Sequence, residues 1–318
     1  MILNLNEVKE ITAGAHLVEQ TEAGFVFHKC TAAQEAAWYT HSETLGTRAR
    51  TTTGIRLDFY TNSHAFGIRI VGGGKFELHI NGILREQVTE KGTYSWSVCD
   101  VRGDACDNAR VTLIFPSHSI GIISDVELDD GASITPVSYK KKLLFIGDSI
   151  TQGHATVYDS FSFAWRVTDY FDAASLINGI GGAFYSTRTF DVPDFDPDAV
   201  IIAYGTNDFG RGGVSLEEKR AEIDGYLDLV KANYGGKRVI VLSPIWRCTA
   251  EGENMREEFH AFRLYIENSA RERGFVAIDG LSLVPPMRSL YADGHLHPND
   301  LGFAIYAENL IKQIKDLI

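Results

Sequence analysis

Four short segments of this sequence carry the residue types that acyl transfer needs. Gly147, Asp148, Ser149 and Ile150 directly follow an apolar run at 143–146, so Ser149 stands where a buried strand emerges into a loop. A serine hydroxyl is a weak nucleophile until a base takes its proton, and a strand end holds it rigidly toward such a partner. Alone, the tripeptide reads equally as a turn in which Asp148 or Ser149 caps the next segment. Residues 178–182 (NGIGG) follow a second short apolar run. Their glycines can turn backbone N–H groups toward a ligand, or simply make a strand–helix turn. The glycine spacing of a dinucleotide site and its downstream acid are not convincingly present.

The third segment, Gly205, Thr206, Asn207 and Asp208, again follows an apolar run, at 200–203. The Asn207 amide can donate to a developing oxyanion, which acyl transfer needs beyond a nucleophile and a base. The fourth, Asp293 to Pro298 (DGHLHP), precedes the last predicted helix. A histidine can take the serine proton and return it to the leaving group while a carboxylate fixes its tautomer. His295 and His297 also form a His-x-His pair of the kind that binds zinc, although the spacing offers no third ligand.

These segments need elements to position them. Up to about residue 135 the chain reads as short alternating strands. Phe76, Leu78 and Ile80 face one way and Lys75, Glu77 and His79 the other, with Asn81 and Gly82 suited to a tight hairpin turn. Similar runs at 55–60, 111–115 and 122–128 point to an antiparallel β-sandwich of the jelly-roll sort over residues 1–135. From residue 136 onward, apolar runs at 143–146, 176–177, 199–203, 239–242 and 275–278 alternate with amphipathic segments. One of those opens on Ser215 with Glu218 three residues on, a capping box. Another carries Phe259, Phe262, Ile266 and Ala270 on one face and stops at Gly274. This alternation predicts a doubly wound, flavodoxin-like α/β unit of about five parallel strands over 136–318, with functional groups beyond the carboxyl ends of the strands.

Composition excludes other classes. The 318 residues are 44% hydrophobic and carry a formal charge of -12, which argues against a polyanion partner such as nucleic acid. Lys140, Lys141 and Lys142 form the only tight basic run, a solvated approach to the next strand. Cys30, Cys99, Cys106 and Cys248 lack metal or disulfide-framework spacing and are expected to be free, buried thiols. No run of about 18 apolar residues and no leader pattern occurs, so no membrane partner and a cytoplasmic location are expected.

Taken in order, the four segments resemble the SGNH, or GDSL-like, hydrolase superfamily over roughly residues 142–318. The resemblance implies that Ser149 attacks an ester carbonyl, with His297 as base. It implies an oxyanion hole made of the Ser149 and Gly182 backbone N–H groups and the Asn207 amide. Asp293 is the nearest carboxylate to orient His297, four residues before it, where the family usually has its acid three before; that position is Gly294. A local bulge, or a backbone carbonyl acting in place of the acid, would accommodate the shift. A β-sandwich ahead of such a unit resembles carbohydrate esterases that deacetylate plant polysaccharides. The expected activity is therefore hydrolysis of a small acyl ester, an O-acetyl group on an oligosaccharide, with no cofactor and no metal. A lipase or acyltransferase using the same residues, or a noncatalytic carbohydrate-binding protein, are the alternatives. Trp246 and Arg247, at the end of the fourth apolar run, are candidates to line the substrate pocket, or alternatively a packing tryptophan and a surface cation.

Overall fold

The computed structural model describes residues 1–100, 102–104 and 108–318. Its first part holds two antiparallel sheets. One runs Thr12–Ala13, Arg56–Thr61, Ala109–Ile114, Phe76–Ile80, Ile83–Val88, with Ile134–Pro136 also on Arg56–Thr61. The other runs Leu17–Thr21, Gly24–His28, Ile122–Leu128, Ala65–Ile70, Gly92–Ser97. They share one apolar core, to which Phe27, Phe59, Phe66, Phe76 and Phe115 contribute. Asn81 (φ 51°) and Gly82 (φ 77°) turn the chain between two of the strands, the positive angles that the dipeptide favours.

The alternation along Phe76–Ile80 is present, with one difference. Glu77, on the face opposite Phe76 and Leu78, is as buried as they are. Its carboxylate accepts from the Ser160 hydroxyl at 2.6 Å and from the Asp159 backbone N–H. The outer face of this sheet meets the second half of the chain rather than water, so a polar residue there is buried and needs partners.

The second part is a five-stranded parallel sheet. In chain order its strands are Lys141–Gly147, Ala173–Gly179, Ala199–Ala203, Arg238–Leu242 and Val276–Ile278, and across the sheet they lie second, first, third, fourth, fifth. The helices Phe163–Tyr170 and Asp300–Ile314 cover one face, and Leu216–Tyr234 and Glu253–Glu272 the other. The doubly wound arrangement follows from strands that are apolar on both sides. The capping box at Ser215 and Glu218 is made, and Gly274 (φ 80°) stands just past the helix that buries Phe259, Phe262, Ile266 and Ala270.

Three helices, all before residue 50, stand among the strands of residues 1–135: Leu5–Ile11, Ala32–His41 and Glu43–Ala49. The last two form a hairpin that packs into the core of the parallel sheet, through Trp38 and Ala49, although it lies in sequence among the antiparallel strands. Thr31 and Gln34 make a capping box that starts it. Its buried face is narrow, a few residues around Trp38, which is why no long apolar stripe announces it. Cys30 is buried, whereas Cys99 and Cys248 are partly exposed; all three are free, and Cys106 lies outside the described residues. Among the described residues no helix is long and apolar enough to cross a membrane.

Trp38 meets the Phe184 ring edge-on at 5.7 Å and is 2% exposed. Trp38→Ala is expected to lower stability by about 3–5 kcal/mol, the usual cost of emptying a large aromatic site. Urea unfolding of the two proteins measures it.

Candidate active site

The first three parallel strands end level: Gly147 pairs in register with Gly179 on one side and with Ala203 on the other. The segments that follow them therefore leave the sheet side by side. After Gly147 the chain turns at once into the short helix Ser149–Gln152, with Asp148 Oδ1 accepting from the Ile150 N–H at 2.9 Å. A Cβ at Gly147 would overlap the Thr151 side chain, so this sharp turn requires glycine. Asn207 stands on the short helix Thr206–Gly210 after the third strand, and Gly182 (φ 87°) in the loop after the second.

Ser149 Oγ lies 2.9 Å from His297 Nε2, and His297 Nδ1 lies 2.7 Å from Asp293 Oδ2. The other Asp293 oxygen accepts the backbone N–H groups of His295 (2.9 Å), Leu296 (2.8 Å) and His297 (3.1 Å). Burial works to raise the Asp293 carboxyl, but these amides and the His297 ring hold it well below the usual carboxylate range. Gly294 (φ 70°) takes up the additional residue between acid and histidine in a left-handed turn. Asp293 thus meets the His297 ring across a four-residue separation. Ser149, Asn207, Gly182 and His297 line one cavity of about 430 Å³. One hydrogen of the Asn207 amide goes to Ala183 O at 2.8 Å, which leaves the second for a ligand. Such a set can activate a hydroxyl, carry its proton and stabilise an oxyanion.

Four further residues line this cavity that were not singled out in the sequence: Arg48, His118, Gln152 and His154. Gln152 is buried and links three chain segments. Its Nε2 donates to Ser117 O (2.7 Å) and Thr51 Oγ1 (3.2 Å), and its Oε1 accepts the Gly181 N–H (2.8 Å). Arg48 Nη1 donates to Gly181 O at 2.8 Å, so the glycine loop is gripped from both sides. Fully buried Lys29 supports that grip, donating to Arg48 O (3.0 Å) and Thr51 Oγ1 (2.6 Å). Rings of His118, His154 and His297 follow one another edge to face, at 5.5 Å and 4.4 Å. Burial pushes His118 down to about 4 and lowers His154. Gln152 and His154 follow Ser149 closely in sequence, a proximity that marks them as candidates. Nothing in the sequence marks Arg48 or His118, which reach the cavity from the antiparallel half.

Trp246 and Arg247 are placed elsewhere. Trp246 packs on Tyr291, ring centres 4.8 Å apart, and borders a separate cavity of about 630 Å³. Arg247 Nη1 donates to Thr206 O at 2.6 Å and props the short helix that carries Asn207. The end of the fourth strand lies beyond Asn207 from Ser149, which removes both side chains from the serine cavity. His295 turns its ring toward the Asp293 carbonyl (3.2 Å), and no group of three metal-ligating side chains gathers among the described residues.

The family model of the GDSL-like lipase/acylhydrolase family matches residues 145–305, a span that contains all of these residues from the parallel half. The chain belongs to that family. Among solved structures, it is similar to the salicylyl-acyltransferase SsfX3 from a tetracycline biosynthetic pathway, at 18% identity over 96% of this chain and 94% of that one, TM-score 0.79. It is also similar to family two carbohydrate esterases from Cellvibrio japonicus (14% identity, 96% and 94% covered, TM-score 0.62) and Clostridium thermocellum, the latter in complex with cellohexaose (16%, 84% and 93%, 0.62). At these identities the likeness is one of fold. No curated protein matches the sequence.

Beside Asn207, Asp208 is buried, which pushes its carboxyl from 3.8 up to about 7. Oδ1 accepts the Tyr185 N–H at 3.1 Å, while Oδ2 has no partner. Between pH about 4 and about 7 the folded state keeps a proton that the unfolded state has lost, so this group's contribution is intact at pH 4 and declines as pH rises through the window. Asp208→Asn, which cannot ionise, should gain on wild type by on the order of 2 kcal/mol between pH 5 and pH 8. Denaturant titrations at the two pH values measure the difference.

Proposed function

We propose that this protein is a serine esterase that removes small acyl groups, O-acetyl groups on a carbohydrate, through an acyl-serine intermediate. The reading is carried by the hydrogen-bonded chain from Ser149 Oγ through His297 to Asp293, with the Asn207 amide on the same cavity wall. Ser149 Oγ attacks the ester carbonyl as its proton passes to His297 Nε2. The carbonyl oxygen takes the negative charge and meets the spare Asn207 N–H and the backbone N–H groups of Ser149 and Gly182. The tetrahedral species collapses, the bond to the alcohol breaks, and His297 returns the proton to the departing oxygen. Water, deprotonated by the same imidazole, then attacks the acyl-serine; the bond to Ser149 Oγ breaks, His297 returns the proton to that oxygen, and the acid leaves.

The cavity lining favours a short acyl chain and a polar alcohol. Arg48, His118, Gln152, His154 and Asn207 are polar, and Leu296 is the apolar side chain among the lining residues. A long acyl chain needs an apolar channel to repay its desolvation, roughly 0.8 kcal/mol for each buried methylene. Carbohydrate esterases among the structural neighbours add support for a sugar as the alcohol.

Three outcomes check this reading. Across p-nitrophenyl esters of increasing chain length, kcat/KM should be highest at acetyl and fall with length, and acetylated xylo-oligosaccharides should be turned over. A preference for long chains would point to a lipase, and turnover that depends on an added alcohol acceptor to an acyltransferase. Asn207→Ala should lower kcat by about 10²–10³ with little change in KM, the effect of losing one oxyanion donor. Asp293→Asn should lower kcat by roughly 10³–10⁴, because an amide at Oδ2 favours the wrong imidazole tautomer; retained activity would show that a backbone group orients the ring.

A further inference from the structure

At the opposite end of the parallel sheet a second cavity, of about 250 Å³, lies between the outer face of the six-stranded antiparallel sheet and the helix Phe163–Tyr170. Ala173 lines it and starts the strand whose other end, Gly179, is level with Gly147. The length of that strand separates the cavity from the Ser149 site by about 20 Å, at roughly 3.3 Å per residue.

Arg56 forms its floor. The side chain is 3% exposed, with the guanidinium between the rings of Tyr139 (4.8 Å) and Trp165 (5.0 Å). Nε donates to Asp58 Oδ2 at 3.2 Å and Nη2 to Ala173 O at 2.9 Å. Nη1 is buried and has no hydrogen-bond partner. A buried guanidinium N–H left unpaired is costly, so the position calls for an acceptor from outside the protein.

Asp58 cannot supply one. It accepts from Arg110 Nε and Nη2 (2.8 and 2.7 Å), from the Thr112 hydroxyl (2.9 Å) and from the Tyr139 hydroxyl (2.5 Å), as well as from Arg56. One carboxylate therefore serves two arginines. A third, Arg166, lies over the Phe161 ring at 5.0 Å and donates Nε to Phe161 O at 3.0 Å; it makes no ion pair within 4 Å among the described residues, and Asp300 is the acid that acts on its charge from further away. Asp172 on the rim is engaged by Lys140 at 3.2 Å. Three guanidinium groups thus face one cavity whose central acid is saturated and whose lining also carries Asp169 and Asp172, in a protein of net charge -12.

We infer that this cavity binds a small oxyanion, which accepts from Arg56 Nη1 and is clamped between Arg110 on the antiparallel sheet and Arg166 on the parallel half. Planar guanidinium groups suit carboxylate and phosphate oxygens alike. Because the ligand joins the two halves of the chain, its binding adds to the stability of the folded state by mass action.

Calorimetric titration with inorganic phosphate and, in a separate arm, acetate, both at fixed ionic strength against a chloride control, tests the inference. Saturable 1:1 binding is expected, with a rise in Tm and, for phosphate, without competitive inhibition of ester hydrolysis. Binding of phosphate alone marks a tetrahedral ligand, and of acetate alone a carboxylate. Arg166→Gln should weaken the anion about tenfold, the loss of one charge-assisted hydrogen bond, while leaving ester turnover unchanged. Arg166→Lys should recover part of the affinity. No saturable binding of either anion, equal binding by Arg166→Gln, or inhibition by phosphate competitive with the ester would overturn the inference.

Discussion

The shared height of three adjacent parallel strand ends is the constraint on which the rest depends. Gly147, Gly179 and Ala203 stand in one row of the sheet, and each is followed within a few residues by a group that faces the same cavity. Backbone hydrogen bonding fixes that row far more tightly than any loop could, so Ser149, Gly182 and Asn207 inherit their spacing from the sheet. Only the His297 segment arrives from elsewhere, ahead of the final helix. Its position is secured locally, by three backbone N–H groups closing on one oxygen of Asp293 while the other meets the imidazole.

The antiparallel half takes part in this site as well as preceding it in sequence. Gln152 ties the helix that begins at Ser149 to Ser117 and Thr51, and the same side chain holds Gly181 beside Gly182. Arg48 grips that loop from the other side, and Lys29 beneath it is buried enough that its ammonium is pushed down to about 8. A buried ammonium with three oxygen partners is a costly support unless every donor is used, and here they are shared among Arg48 O, Thr51 and Thr53. The arrangement makes the preorganisation of the glycine loop depend on contacts between sequence-distant segments.

Much of this was legible in the sequence because it rests on local rules. Period-two alternation exposed the strands, apolar runs exposed the parallel sheet, and serine, glycine, asparagine and histidine at the ends of runs exposed the cavity wall. The missed features are the nonlocal ones. The helical hairpin around Trp38 stabilises itself on the parallel sheet, so its own sequence shows only a narrow buried face. Glu77 reads as an outward polar residue and is buried because another layer covers the sheet. Arg48 and His118 come to the cavity through packing between the halves, which no spacing encodes. Trp246 and Arg247 were drawn toward the cavity by standing at a strand end, but that strand is two places from Ser149 across the sheet.

In the proposed mechanism Ser149, activated by His297, carries the acyl group. Intact-mass analysis of acid-quenched enzyme after brief mixing with p-nitrophenyl acetate, followed by peptide mapping, tests it directly. One acetyl group per chain on the peptide containing Ser149, and its absence in a folded Ser149→Ala protein, is the predicted result. Steady ester turnover in that variant at the wild-type rate, or an acetyl group carried on another residue, would contradict it.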